Sequence, residues 1–503
     1  MWSDNMEEGR KKGGGMLVYA CMAMVMFLFM VWYSGMQEFW YDEVYQLGMV
    51  RDSLDVKGML REYAQLKDYT PPLYALICYF WVRIVPFSFR WLLLISEGFA
   101  ALGVFVTSLV GERVGGKKLG LLTGIFAATS SVLVLSAGYE FRSYSLYFTA
   151  SAFVFLLLAK RIQNPGRTVS VQYGLALVLL LYSHYYGTVL FAVLFLLEVM
   201  FAARRHIKWS RLVVYVVSGA AFLPWMLLVF VYRTRSMTEF WIQPPDLMSV
   251  IELFRYLCSE NPFVLALLGL GTALTAVSLA DRCRRRAFAC EKDGMWVYLL
   301  GTVVGVAVVM YVYGAYINPD GGLFYKRYFL GLLPCCFVIL GAGTAWLVDL
   351  PAAGRHNRTR IFYVIALALA LVLSAQNGEY LFGKLEKKPA LSYTGAVGAM
   401  SRCEDITSPD VAVVTTDNPW VRAGIEMYFD RLFHTKPIVL SQHDEAFAGH
   451  VREYRKLYVF KGKQPMTEQT ERALGGYKRI RKIAGKRVTV YERESKPNEN
   501  TIK

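Results

Sequence analysis

The sequence lacks the cysteine spacing of a metal site or a disulfide framework, although it contains eight cysteines among 503 residues. Most of these cysteines lie within apolar runs or beside basic clusters, where packing or a free cytosolic thiol accounts for them. Internal repeats and low-complexity tracts are also absent. The composition therefore excludes a disordered chain, a fibrous protein and a small disulfide-stapled fold.

Acidic residues are scarce relative to basic ones, 39 against 55, so the net charge is +16. Such a charge is compatible with nucleic-acid binding, yet 55% of the residues are hydrophobic and the mean hydropathy is +0.34. That much apolar surface requires lipid, and many apolar runs approach the ~20 residues that span a bilayer. The eleven predicted spans are residues 16–33, 91–110, 119–139, 144–159, 169–183, 185–203, 212–232, 262–280, 295–316, 328–348 and 361–376.

Basic clusters indicate the orientation of these spans. Arg10, Lys11 and Lys12 precede the first span, and five further clusters fall on the same side when the spans are threaded in order. By the positive-inside rule this side is the cytoplasm. A cleaved signal peptide is the alternative for residues 16–33, but the run is long and no A-x-A site follows. We therefore predict a multi-pass protein of the cytoplasmic membrane, with a cytoplasmic amino terminus and an extracytoplasmic carboxy-terminal domain.

Two segments are predicted to lie outside the bilayer core on the outer side. The apolar stretch 73–86 is short and is interrupted by Arg83 and Pro86, so we expect an interfacial or re-entrant half-helix. The tail alternates strand-like runs at 411–415, 437–440, 457–460 and 488–491 with helical and turn segments. The predicted fold class is thus an all-α polytopic membrane domain, residues 1–377, followed by a small soluble α/β domain, residues 378–503. Headgroups and solvated loops account for the basic charge better than nucleic acid does.

The outer side carries the unusual polar residues. Asp42 and Glu43 follow the first span, and adjacent carboxylates require a cation or a hydroxyl donor nearby; a solvated interfacial loop is the alternative. Glu140 and Arg142 end the third span, where they alternatively pair with each other. Lys326 and Arg327 precede the tenth span, and the planar fork of arginine suits phosphate oxygens.

Four further residues are of interest for their positions. Thr70 precedes a stiff Pro-Pro pair, and His184 lies at an outer corner, where a lone histidine is more often structural than catalytic. Glu97 is an acid inside the second span, and such groups face a cavity or a partner. Glu198, near Arg205, is predicted to form a local ion pair.

Acids and cations gathered on the outer side predict displacement of a lipid-linked phosphate. A carboxylate would take a proton from an acceptor hydroxyl while cations stabilise the leaving phosphate. One in-line attack with inversion needs no covalent enzyme intermediate. A lipid or sugar transporter or flippase is the alternative function, although the ionisable groups lie at loop ends rather than at midplane. A non-catalytic scaffold would leave Asp42 and Arg142 without a role.

The motifs together resemble the GT-C superfamily of membrane glycosyltransferases, in particular the bacterial group related to dolichyl-phosphate-mannose protein mannosyltransferases and aminoarabinose transferases. The similarity covers residues 16–376. It rests on Asp42-Glu43, Thr70-Pro71-Pro72-Leu73-Tyr74, Glu140-x-Arg142-x-Tyr144, His184-Tyr185-Tyr186-Gly187, and Arg327-Tyr328 with Pro334. Relatives commonly have histidine where this chain has Thr70, and Lys67, Asp68 or His184 are the candidates to compensate.

The resemblance implies a polyprenyl-phosphate sugar donor and a lipid, polysaccharide or protein acceptor. It implies that Asp42 is the general base, that Glu43 supports it or binds the sugar, and that Arg142, Arg327 and Lys326 bind the donor phosphate. Glu140, Tyr144, His184, Thr70 and Glu97 are expected to support the site. A divalent cation is a possible cofactor, because some relatives use one. The acid and the guanidinium groups are expected to converge in one non-cytosolic pocket.

Overall fold

A computed structural model of the chain describes residues 14–36, 38–39, 41–65, 70–233, 243–318, 323–348, 358–387, 393–416, 419–444, 447–461, 465–484 and 487–493. The chain forms two compact units. The first comprises Met1–Gly35 and Ser53–Phe382, and the second comprises Met36–Asp52 and Gly383–Lys503. The second unit therefore includes a segment from the amino-terminal part of the chain, which the sequence-based division at residue 377 does not include.

The regular secondary structure of the first unit is entirely helical in its described part. Its helices are α1 (Gly14–Ser34), α3 (Val56–Gln65), α4 (Leu73–Ile84), α5 (Phe89–Ala128), α6 (Ser131–Leu133), α7 (Tyr144–Gln163), α8 (Arg167–Ser183), α9 (Tyr186–Ala203), α10 (Val213–Arg233), α11 (Leu247–Leu257), α12 (Pro262–Arg284), α13 (Cys290–Val312), α14 (Leu333–Val348) and α15 (Arg358–Lys387), whereas α2 (Tyr41–Asp52) belongs to the second unit. Short π-helical turns, Val134–Gly138 and Tyr313–Ile317, follow α6 and α13, and 3-10 turns, Trp209–Leu212 and Lys326–Leu332, precede α10 and α14.

Nine helices in the described part of the chain are long and apolar enough to cross a membrane. One of them, α5, has 40 residues, or about 60 Å, which is twice the ~30 Å of a bilayer core. Its backbone leaves helical geometry at Gly115 and Gly116, so it contains two successive spans. Helix α8 has 17 residues, just short of a full span. Together these features account for the eleven predicted crossings, and the predicted fold class is confirmed.

Close helix packing in the first unit depends on glycines. Helix α5 packs against α1, α7 and α14, and α12 packs against α14. A Cβ on Gly271 would collide with the backbone oxygen of Ile339, and one on Gly343 would lie 2.9 Å from the Cα of Gly271. Small residues at this crossing let the two backbones approach directly, as is common between helices in membranes.

The short helix α4 has 12 residues, or about 18 Å, which is too short to cross. Phe80 and Ile84 on it are exposed. Both observations agree with the predicted interfacial half-helix.

The ion pair predicted between Glu198 and Arg205 is wrong. Glu198 of α9 pairs instead with Arg161 and Arg211, whose guanidinium nitrogens lie 3.1 Å and 3.7 Å from its Oε1. Arg205 is exposed in the turn after α9 and has a positive φ of 58°. Helix α9 ends at Ala203, so Arg205 does not continue the helix that carries Glu198.

The second unit contains a five-stranded sheet in the order β2-β1-β3-β5-β4. The strands are β1 (Val411–Thr415), β2 (Ile438–Ser441), β3 (Lys456–Phe460), β4 (Tyr477–Ile483) and β5 (Val488–Arg493), and the helices are α2, α16 (Tyr393–Ser401), α17 (Pro419–Leu432), α18 (Phe447–Val451) and α19 (Glu468–Leu474). Strand β1 is parallel to β2 and β3, whereas β5 is antiparallel to β3 and β4. Helix α2 packs against α17. The four predicted strands are present, and β4 is an additional edge strand.

Candidate active site

The predicted catalytic acids lie in the first turn of α2, in the second unit. Acids in this position interact favourably with the helix dipole. Glu43 is only 3% exposed, whereas Asp42 is half-buried. The two carboxylates therefore have different environments, and Asp42 is the more accessible of the pair.

Aromatic side chains of the same unit surround this turn. The hydroxyl of Tyr428 in α17 donates a hydrogen bond to the backbone oxygen of Phe39, at 3.2 Å. Burial, together with the nearby carboxylates of Glu38 and Glu43, raises the pKa of Tyr428 above its ordinary value. Glu38 accepts a hydrogen bond from the backbone N–H of Tyr393, at 2.7 Å. These contacts anchor the start of α2 to α16 and α17.

In the first unit, the central contact of the predicted phosphate site joins Glu140 to Arg327. Nη1 of Arg327 lies 2.6 Å from Oε1 of Glu140, and Nη2 donates to the Tyr325 hydroxyl at 3.1 Å. The backbone oxygen of Glu140 accepts from Oγ of Ser96, at 2.8 Å. Both arms of the arginine fork are thus held, while the Arg327 side chain remains 28% exposed.

Arg142 and Tyr144 belong to the same group. Tyr144, the first residue of α7, is buried and lies within electrostatic range of Arg142, Arg327 and Glu140. Arg142 is half-buried in the turn between the first π-helical segment and α7. The structure therefore brings together four of the predicted residues, two cations, one acid and one tyrosine, in the first unit.

Lys326 is placed beside an aromatic residue that the sequence analysis missed. Its Nζ lies 5.2 Å from the ring centroid of Tyr256 in α11. The Tyr256 hydroxyl donates to Oγ of Ser136 at 2.6 Å, and burial together with the charge of Glu140 keeps its pKa above the ordinary value. Tyr256 and Tyr325 were both missed. The apolar spacing of Leu253, Tyr256 and Leu257 on α11 is the signal that could have found the first.

His184 has a structural setting. It is buried at the end of α8, and its Nδ1 accepts a hydrogen bond from the backbone N–H of Tyr186, at 3.2 Å. The rings of five tyrosines lie around it, with centroids 4.5 to 6.1 Å away: Tyr144, Tyr147, Tyr185, Tyr186 and Tyr328. A histidine enclosed in this way positions the tyrosines that border the Arg327 group.

Thr70 and Glu97 are buried in the first unit. Thr70 is buried just before α4, while the proposed substitutes Lys67 and Asp68 lie outside the described residues. Glu97 is fully buried on α5. Ser34 and Arg90 are its polar neighbours.

No group of three or more histidine, cysteine, aspartate or glutamate side chains that could hold a metal ion occurs in the described segments. The Arg327 group gathers cations around a single carboxylate, which does not fit a divalent cation.

Sequence comparison finds no matching family model and no matching curated protein. Solved structures do match. The apo state of ArnT from Cupriavidus metallidurans is 12% identical with a TM-score of 0.60, covering 94% of this chain and 97% of that one. The same protein bound to undecaprenyl phosphate is 13% identical with a TM-score of 0.57, over the same shares of both chains. The oligosaccharyltransferase of Archaeoglobus fulgidus, in complex with Zn and sulfate, is 12% identical with a TM-score of 0.48, over 89% of this chain and 68% of that one.

At these identities the likeness concerns the fold, and it extends over nearly the whole length of both chains in the ArnT matches. This agrees with the resemblance inferred from the motifs. The chain therefore has the overall fold of ArnT.

Proposed function

We propose that the protein is an integral-membrane glycosyltransferase. It moves a sugar from a polyprenyl-phosphate-linked donor to an acceptor hydroxyl at the outer face of the cytoplasmic membrane. The observation that carries the proposal is the group of Arg327, Arg142, Glu140 and Tyr144 in a chain with the fold of ArnT, a protein also solved with undecaprenyl phosphate bound.

The reaction is a single displacement at the anomeric carbon. The acceptor oxygen attacks this carbon from the side opposite the phosphate, so a new glycosidic C–O bond forms as the C–O bond to phosphate breaks. The bonding electrons leave with the polyprenyl phosphate, and the configuration inverts. Asp42 accepts the hydroxyl proton, as the more accessible carboxylate of the pair, and Glu43 supports it.

The role proposed for Arg327 and its neighbours is to bind the phosphate and to stabilise the charge that develops on it. Glu140 and Tyr325 hold the guanidinium in one orientation, which makes the remaining N–H groups a preorganised site. Arg142 and Lys326 add positive charge, and Tyr144 borders the group. His184 orders the surrounding tyrosines, since its Nδ1 is already engaged by a backbone N–H.

Donor and acceptor can be found together by comparing cells with and without the gene. Deletion is expected to remove one glycan or glycolipid and to enrich one polyprenyl-phosphate sugar in the lipid extract. Purified full-length protein, given this extract and membranes from the deletion strain, should release free polyprenyl phosphate and restore the missing product, both measured by mass spectrometry. The product linkage should be inverted relative to the donor.

Failure to form the glycosidic product would favour the alternative function, a lipid or sugar transporter. In that case proteoliposomes would move the enriched lipid between leaflets, while no glycosidic product would form with any acceptor fraction. Such an outcome would overturn the proposed transfer reaction.

A further inference from the structure

A second group of charged residues lies in the first unit, far from the Arg327 group. Arg161 is 17 residues after Tyr144 on α7, about 26 Å along the helix, and Glu198 is 12 residues after Tyr186 on α9, about 18 Å along it. Both helices start beside the proposed active site and end at this second group. It therefore lies near the opposite membrane surface, at the basic loops predicted to be cytoplasmic.

Two guanidinium groups share one carboxylate here. Nη1 of Arg161 lies 3.1 Å from Oε1 of Glu198, and Nη2 of Arg211 lies 3.7 Å from the same oxygen. Nη2 of Arg161 also donates to the backbone oxygen of Arg211, at 2.6 Å. The side chains of Arg161, Glu198 and Arg211 are 2%, 0% and 19% exposed. The group thus carries a net charge of +1 in a nearly dry position.

Several of its hydrogen-bond donors are unsatisfied. Nε of Arg161, and Nε and Nη2 of Arg211, are buried and have no hydrogen-bond partner among the residues that the structure describes. The great majority of buried polar atoms in proteins form a hydrogen bond. An unpaired buried donor destabilises the folded state by roughly 1–3 kcal/mol, and by more when it is charged. Oε2 of Glu198 also has no hydrogen-bond partner there, so the group holds three unsatisfied donors and one unsatisfied acceptor beside an excess positive charge, a balance that favours an anion with several acceptor oxygens.

The surroundings favour a lipid headgroup as this anion. Arg211 lies between an exposed basic turn, with Arg204, Arg205 and Lys208, and the start of α10. On that start, Val213, Val216 and Val217 are exposed and apolar, and Trp209 is exposed beside Arg211. A basic turn, a tryptophan and a lipid-facing helix in this order are typical of a segment that lies at the level of the lipid headgroups.

We propose that Arg211 and Arg161 bind the phosphate of an anionic phospholipid, with Glu198 holding the two guanidinium groups side by side. Arg211, whose side chain is 19% exposed, contacts the headgroup first, and its buried Nε and Nη2 donate to the phosphate oxygens once the guanidinium turns toward the headgroup. A planar guanidinium pair suits two phosphate oxygens better than a lysine does. This site is separate from the proposed transfer reaction and does not depend on it.

Native mass spectrometry of the detergent-purified full chain tests the proposal. Dioleoyl-phosphatidylglycerol and dioleoyl-phosphatidylcholine are added in equal amounts, and the lipids retained by the protein are counted. The parent is expected to retain one phosphatidylglycerol at least tenfold in preference to phosphatidylcholine. Arg211→Gln should abolish the preference. Arg284→Gln is the matched control, because Arg284 is 83% exposed and pairs with Asp281; it should behave as the parent.

Equal retention of both lipids by the parent, or an unchanged preference in folded Arg211→Gln, would overturn the site. If Arg211→Gln does not fold, Arg211→Lys replaces it, since this variant keeps the charge and loses the fork. Its preference should then fall severalfold, and a parental preference contradicts the proposal. Displacement of the lipid by millimolar inorganic phosphate would show free phosphate as the occupant and overturn the lipid assignment.

Discussion

The pair of Glu140 and Arg327 shows how a charge contact serves binding more than stability. A partly buried ion pair contributes little net free energy, because desolvation of the two ions offsets their attraction. What the contact does provide is orientation: the arginine fork is fixed between Glu140 and the hydroxyl of Tyr325. A phosphate that arrives meets donors already in place, so less conformational entropy is lost on binding.

The proton-accepting role of Asp42 has a direct test. Asp42→Asn preserves the size of the side chain but provides no carboxylate to take the hydroxyl proton, so kcat should fall by about 10²–10⁴-fold. The measurement is release of polyprenyl phosphate by purified protein, with folding checked by size-exclusion chromatography. Asp52→Asn, near the end of the same helix, is the control and should keep parental activity. Parental turnover in folded Asp42→Asn would remove Asp42 from the mechanism.

Arg327→Lys tests the phosphate role through the shape of the side chain. Lysine keeps the charge but cannot contact Glu140 and the Tyr325 hydroxyl with a planar fork. We expect the KM for the lipid donor to rise about tenfold, with a smaller change in the KM for the acceptor. Arg255→Lys, at an arginine that is 57% exposed, serves as the matched control. Equal donor KM values for Arg327→Lys and the parent would argue against phosphate binding by Arg327.

At this scale the sequence predicted which residues are unusual better than it predicted their partners. Glu140, Arg142 and Arg327 stand out because they lie at span ends on the predicted outer side, whereas the basic clusters lie on the other side. The contact between Glu140 and Arg327 joins residues 187 positions apart and depends on how the helices pack. The Glu198 pairing was assigned to the wrong arginine for the same reason: proximity in sequence favoured Arg205, and tertiary packing favoured Arg161 and Arg211.

Among the elements, the π-helical turns have a consistent location. Val134–Gly138 ends just before the turn with Glu140 and Arg142, and Tyr313–Ile317 precedes the segment with Tyr325, Lys326 and Arg327. A π-turn adds a residue to the helical repeat and redirects the chain that follows, and such turns are frequent at functional sites. The π-helical turns and the Glu140–Arg327 contact therefore both favour these two span ends as part of the proposed site. Neither turn can be recognised from the apolar pattern of the sequence.

The break in α5 depends on Gly116. Its φ of 80° and ψ of −176° belong to a region that essentially only glycine occupies. Gly116→Ala should therefore destabilise the protein by about 1–3 kcal/mol. On the same helix, Gly98 is helical and has no heavy atom within 4 Å of an added Cβ, so Gly98→Ala should be neutral or stabilising.

Thermal unfolding of the detergent-solubilised variants distinguishes these two glycines. The apparent Tm should fall for Gly116→Ala and stay level or rise for Gly98→Ala. If both substitutions lowered the apparent Tm equally, the positive φ of Gly116 would not be the cause.

The sheet shows where an apolar pattern succeeds and where it fails. Strand β1 is buried at all five positions, so a continuous apolar run revealed it. Strand β4 has the sequence YKRIRKI, with exposed residues from Lys478 to Lys482, and lies at the edge of the described sheet, paired with β5. Lysines and arginines on an edge strand discourage pairing with other chains, and they also conceal the strand from a search based on hydrophobicity.

For the whole molecule, the number of crossings followed from length and hydropathy, whereas the membership of the two units did not. The segment with Asp42 and Glu43 follows the first span directly, yet it belongs to the unit of the carboxy-terminal sheet, through the packing of α2 on α17. That packing joins parts of the chain almost 400 residues apart, and local sequence patterns carry no information about it. The convergence of Asp42 with the Arg327 group in one pocket stays a prediction.

The orientation of the whole chain in the membrane is tested with cysteine labelling. Cys283 is an exposed native thiol beside the basic cluster of Arg284, and Leu54 is 99% exposed in the segment that follows α2. In a Cys403→Ser background, Leu54→Cys should react with a membrane-impermeant maleimide in intact cells, because the positive-inside rule places it outside. Cys283 should react only after the membrane is permeabilised. Labelling of Cys283 in intact cells, with Leu54→Cys protected, would show that the orientation is the reverse of the predicted one. The proposed transfer reaction would then take place at the cytoplasmic face. At that face nucleotide-linked sugars would be candidate donors beside lipid-linked ones.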